Sequence, residues 1–273
     1  MTDMKSTWLS VIRLPLLIAA FLAHPAPVRA ADAESAREDL KLPGLVVSFT
    51  DRRVDVEATV CLNEGMLELV ACTKDTKEHE SIVTIEARPM HVHAALLMLG
   101  AHNGHPATSR PMDEQKTRWI HLPPRGDPVK VSLVLKDPKG DKVEHSISEF
   151  VRRPEDSMDE HADQDEDAED EEVFPDTFIF AGSQLRDNRE GPRTYIADVS
   201  GSVISIATFG DELLCLPGIH SEANDALMWQ ANPDKLPKVG TKVTLRLRPQ
   251  NKPAPKIDPA NKQPETNAQE DSR

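Results

Sequence analysis

The sequence predicts a β-rich α+β fold: antiparallel sheets with one clear buried helix, at about residues 89–99. Three observations predict it. About nine or ten short segments alternate apolar and polar side chains or are dense in β-branched residues. A single apolar run, Met90 to Leu99, has helical length. Gly, Asn, Asp and Pro punctuate the chain at intervals too short for further long helices.

In order, Leu45 to Phe49 and Arg53 to Leu62 read as strands, followed by Met66 to Cys72 around an Asn63-Glu64-Gly65 turn. Pairing Leu62 with Leu67 in that hairpin sets Val60 opposite Leu69 and Ala58 opposite Ala71, one continuous apolar face. The register leaves Cys61 and Cys72 ~13 Å apart, beyond the reach of a disulfide, so no Cys61–Cys72 bond is expected. Ser81 to Ala87 is a further strand. Pro89 suits a first helical turn and Gly100 a stop. The helix is apolar nearly all round and is expected to be buried against a sheet. His102 to Arg125 reads as loop, anchored by Trp119-Ile120. Val129 to Leu135 alternates as a half-buried strand, Asp137 to Gly140 is a turn, and Val143 to Ile147 returns. Beyond an acidic block, Thr177 to Ala181 is a strand, and Tyr195 to Val199 and Ser202 to Thr208 flank Ser200-Gly201 as a hairpin. Val243 to Leu247 is an amphipathic strand.

The organisation is expected to be a signal peptide at 1–30, a loose leader at 31–44, one domain at 45–248 and a solvated tail at 249–273. Two subdomains are the alternative, since the acidic insert at 154–173 would also serve as a linker. The signal reading rests on Lys5 and Arg13, a short apolar core from Leu14 to Ala23, and Val28-Arg29-Ala30 before Ala31. It implies export to the periplasm or exterior, with no transmembrane segment after cleavage. Residues Glu155 to Glu172 hold twelve Asp or Glu and no Lys or Arg. Without them the net charge of -14 falls to about -2, so the acidity belongs to the insert and not to a binding surface. Nothing is basic enough to predict a nucleic-acid partner.

Cys61 to Gly100 concentrates thiols, imidazoles and carboxylates. Cys72, His79, Glu80 and His93 are the candidate ligands of a transition metal, because thiolate and imidazole suit zinc, copper or iron. Their spacing fits no zinc-finger pattern, and His91 and His93 point about 200° apart on a helix. Alternatively Cys72 and His79 form a thiolate–imidazolium pair oriented by Glu80. The structural reading, in which these groups satisfy backbone and core, is preferred, and no catalytic residue is assigned. Cys215, among apolar neighbours, is expected to be buried and inert.

Gly65-Met66-Leu67-Glu68, Cys72, Lys77 to Ser81, His93 to Leu97 and Gly100 resemble the signature of the YdjY-type domain. Phe180-Ala181-Gly182-Ser183 and Gly201 to Phe209 are similar to its later portion, so the resemblance spans most of Leu45 to Arg248. It implies membership of a bacterial family often carried on exported proteins, and no particular activity. The functional expectation is therefore a non-catalytic binding or scaffold module of the envelope or exterior. The alternative is a metal-binding or thiol-redox protein using the Cys72, His79, Glu80 and His93 cluster.

Overall fold

A computed structural model describes residues 38–154, 173–220 and 228–251. The signal peptide, the acidic insert and most of the tail lie outside the described residues.

Eleven strands form the main sheet: β1 Leu40–Leu42, β2 Leu45–Ser48, β3 Arg53–Val60, β4 Leu69–Thr73, β5 Ser81–Ile85, β6 Pro128–Lys136, β7 Lys142–Ser146, β8 Thr177–Phe180, β9 Ser202–Ser205, β10 Leu214–Cys215 and β11 Lys242–Pro249. Eight of them close on themselves in the order β3-β11-β6-β8-β10-β9-β4-β5 and back to β3. β3 is long enough to carry β2 along its first half and β5 along its second. β6 likewise carries β8 and then β7 on one edge.

Closure follows from the alternation in the sequence. Val54, Val56, Ala58 and Val60 of β3, Val129, Val131 and Leu133 of β6, and Val243, Leu245 and Leu247 of β11 fill the interior, with Phe178 and Phe180 of β8. A sheet with one such apolar face removes its exposed edges by joining them. The fold is β-rich, as expected, but it is a closed barrel and not a set of antiparallel sheets. Two of its ladders, β4 with β5 and β9 with β10, run parallel.

The hairpin register is overturned. β5 inserts between the two segments expected to pair, with Ala58 opposite Ile85 on one side and Ala71 opposite Val83 on the other. The Met66-Leu67 stretch instead meets Trp229 and Gln230. Each local apolar face was correctly read, but a barrel offers it a longer-range partner that burial alone does not distinguish.

Helix α1, Pro89–Met98, forms where expected, although only Pro89, Val92, Ala95 and Leu96 are buried along it. Met90, Leu97 and Met98 are exposed, so it is half-buried and not enclosed. Tyr195 to Val199 is not a strand of a hairpin: a short helix α2, Ala197–Ser200, stops at Gly201, whose φ of 81° is left-handed. A Cβ on Gly201 would stand 2.2 Å from Oγ1 of Thr76, so glycine is required twice over. The expected 102–125 loop contains two ribbons, Asn103–His105 with Arg125–Gly126 and Thr108–Pro111 with Trp119–Leu122. Trp119, paired with Pro111 in the second ribbon, is 49% exposed and not a core anchor. The leader is also shorter than expected, since Leu40–Leu42 is a strand on β2. Strands from both sides of the acidic insert are interleaved in one barrel.

Candidate functional site

The structure separates the four residues singled out in the sequence. Cys72 is fully buried in β4. His79 sits on the turn Glu78–Glu80 that leads into β5, with its side chain 79% exposed and 3.6 Å from Glu80. His93 lies on α1 and is engaged elsewhere. Among the described residues, no group of three or more His, Cys, Asp or Glu is arranged to hold a metal ion.

His93 belongs to a structural pillar. Its Nδ1 is 2.8 Å from the Tyr195 hydroxyl, which donates to the Gly182 carbonyl at 2.9 Å. With its one proton given to Gly182, the hydroxyl accepts from Nδ1–H. The imidazole also meets the Phe180 ring edge to face at 4.9 Å. Burial lowers the His93 pKa from 6.5, which suits a neutral ring. Gly182 has a φ of 85°, and a Cβ there would come within 2.6 Å of the Asn103 side chain. Ser183 then caps α2, since its Oγ accepts from the Ala197 amide at 3.0 Å and donates to the Asp211 carbonyl. The Phe180 to Ser183 motif thus joins β8, α1 and α2.

Cys61 and Cys72 stand on opposite sides of β5. Cys61, one residue past β3, places its Sγ 3.0 Å from the Ser81 carbonyl. Its amide and that of Leu62 share the Ile82 carbonyl, at 2.9 and 3.4 Å. Cys72 is opposite Thr84 on the other side of the same strand. The Ser81 and Thr76 hydroxyls donate to the Lys77 and Thr73 carbonyls, at 2.7 and 2.6 Å. Hydrogen bonding from the Cys61 thiol favours the Cys72 anion against the cost of burial and lowers its pKa. Cys61, beside that charge and partly buried, is pushed upward and keeps its proton. All three cysteines are free thiols. Cys215 is buried as expected, and desolvation raises its pKa.

The outer wall of the barrel carries a groove of about 410 Å³. It is lined by Thr59 and Thr84, with Ala58 and Val243 behind them, and by Glu57, Glu86 and Glu78 against Lys74 and Lys242. Glu57 and Glu86 flank the Ala58–Ile85 pair, so two carboxylates stand side by side. Lys242 Nζ is 2.8 Å from Thr59 Oγ1, and Thr84 Oγ1 is buried without a hydrogen-bond partner. Nothing local marks this groove, because its residues come from three strands and a crossover. Glu212 was missed for a similar reason: it lies in an unremarkable turn, yet is fully buried. Neither of its carboxylate oxygens has a hydrogen-bond partner, and burial raises its pKa.

A family model described as the YdjY domain matches residues 45–248. No curated protein and no solved structure matches the chain.

Proposed function

Taking as premise that the chain belongs to the YdjY domain family, which the match over residues 45–248 establishes, we propose that it is an exported, non-catalytic binding module whose ligand seat is the groove on the outer barrel wall. The observation that carries the reading is a contrast in how polar groups are used. His93, Tyr195, Gly182 and Ser183 are committed to one another and to backbone. The groove, by contrast, gathers both signs of charge around Thr59 and Thr84 on the surface, with Lys74 and Glu86 3.9 Å apart. Such a seat suits a small zwitterion, its carboxylate toward Lys74 and Lys242 and its ammonium toward Glu57 and Glu86. Export rests on the N-terminal pattern of Lys5, Arg13 and the Leu14 to Ala23 core.

Two measurements test this. Fractionation with N-terminal sequencing should find the chain outside the cytosol and beginning at Ala31, and intact precursor in the cytosol contradicts export. Amide chemical shifts recorded against a panel of amino acids, and of amines and acids lacking the opposite charge, should move at Thr59 and Thr84 with the zwitterions alone. No shift at those residues with any member of the panel contradicts the groove. The metal or thiol-redox reading of Cys72, His79, Glu80 and His93 lacks a converging ligand set among the described residues.

A further inference from the structure

We infer that the cleft between the ribbon at 108–122 and the segment at 208–220 binds a neutral polyhydroxylated ligand, a mono- or disaccharide. This site is separate from the groove on the outer wall and does not depend on that reading. The cleft has a volume of about 540 Å³, within the ~300–1,000 Å³ of small-molecule sites. Ser109 and His121 line it from the ribbon, Thr208, Phe209 and His220 from the facing segment, and Gln184 from the stretch that follows the Phe180 to Ser183 motif. Among the described residues that line it there is no Lys, Arg, Asp or Glu, in contrast to the groove. A charged ligand would give up water there without meeting a fixed counter-charge, a cost that a neutral molecule avoids.

After its internal bonds, each polar side chain keeps one donor or one acceptor. Gln184 donates from Nε2 to the Gly210 carbonyl at 2.6 Å, which leaves Oε1 to accept. Thr208 Oγ1 accepts from the His220 amide at 2.8 Å and keeps its own proton to donate. His220 Nε2 is 2.8 Å from the Pro217 carbonyl and carries the ring proton there, so Nδ1 of the neutral ring accepts. His121 engages Ser109 Oγ through Nδ1 at 2.8 Å and keeps Nε2. Donors and acceptors set side by side match sugar hydroxyls, each of which does both.

Phe209 and Ile219 supply apolar surface for the C–H face of a sugar ring. Lys77 is committed to Phe209, its Nζ 3.2 Å from the ring centroid, and holds that ring in place. Trp119 is two residues from His121 on the same strand, hence on the same ribbon face about 7 Å farther along. It is 49% exposed and offers a second sugar ring a stacking surface. The cleft is also built before any ligand arrives. The Gly182 and Ser183 amides donate to the Leu213 and Glu212 carbonyls, both at 2.9 Å, and the Thr208 amide donates to the His220 carbonyl at 3.0 Å. The motif at Phe180 to Ser183 thus pins the segment that forms one wall, which spares the ligand the cost of ordering it.

The test uses the full chain, with amide shifts recorded against glucose, galactose, N-acetylglucosamine, maltose and cellobiose. Each is present at about 50 mM, enough to fill a millimolar site. Glucuronate and glucosamine serve as charged counterparts. At least one neutral sugar should move Ser109, His121, Gly210 and His220 while Thr59 and Thr84 of the groove stay in place. Trp119→Ala, at an exposed position, should weaken a disaccharide about two- to tenfold. His121→Ala should weaken any bound sugar by about the same factor. No shift at the cleft residues with any neutral sugar, or shifts there with the charged compounds alone, overturns the proposal. So does a disaccharide affinity that neither substitution changes. The wild-type shifts decide the matter even if His121→Ala fails to fold.

Discussion

At the scale of single residues, the polar groups divide into those satisfied and those left in tension with burial. Tyr195 is satisfied twice over, so Tyr195→Phe deletes the acceptor of His93 and the donor to Gly182. A loss of about 1–3 kcal/mol is expected in a urea titration, and an unchanged midpoint contradicts the pillar. The His93 ring gives a pH signature. Its folded pKa lies below 6.5, so stability from the neutral ring is fully present above 6.5 and is lost as pH falls below it. Glu212 works the other way. Its folded pKa is raised, so stability declines as pH climbs past 4.5, the unfolded value. Glu212→Gln should remove that decline and stabilise the protein at neutral pH, measured as a higher Tm. A lower Tm there would show that the carboxylate has a partner. His93 was visible in the sequence as a core histidine, because it falls on an apolar helix. Glu212 was not, because nothing local marks a turn residue as enclosed.

At the scale of elements, caps and ladders come from distant parts of the chain. α1 lacks a cap from its own Arg88, and Asp198 of α2 supplies one, accepting from the Met90 amide at 2.9 Å and from Arg88 Nε at 3.0 Å. Asp198→Ala should cost about 0.5–2 kcal/mol and speed amide exchange at Met90; unaltered exchange there contradicts the cap. The outer wall carries a charged ladder: Asp55 of β3 to Arg246 of β11 at 2.6 Å, then Arg246 to Glu144 of β7 at 2.7 Å, with Arg248 beside it. Burial would raise the Glu144 pKa, but Arg248, Arg246 and the Ser132 hydroxyl outweigh it and hold it at about 2. The stability it confers is present above 4.5 and lost as pH falls toward 2. Glu144→Gln should flatten acid denaturation across that interval, and an unchanged acid limb contradicts the ladder. Element existence was largely legible. β6, β11 and α1 follow from periodicity of two or from an apolar run with Pro89 and Gly100 at its ends. Tyr195 to Val199 was misread because Ser200-Gly201 serves a helix stop as well as a hairpin turn.

At the scale of the whole molecule, topology decides what the motif residues do. With β5 between β3 and β4, Cys61 and Cys72 flank one strand from opposite sides, whereas the expected hairpin would have set them on a single two-stranded ribbon. The same insertion aligns Thr59 with Thr84 and creates the groove floor. A periodic sequence specifies which face of a strand is buried but not which strand lies beside it, so barrel closure and the groove were illegible together. Among the candidates Cys72, His79, Glu80 and His93, nearness in sequence between Cys72 and His79 became a buried cysteine and an exposed imidazole.

The most direct test of barrel closure is a set of cross-strand nuclear Overhauser effects in solution. Contacts between Thr59 and Thr84, and between Ala71 and Val83, are predicted with no contact between Val60 and Leu69. A Val60–Leu69 contact in place of the Thr59–Thr84 one would restore the hairpin, open the barrel and remove the groove.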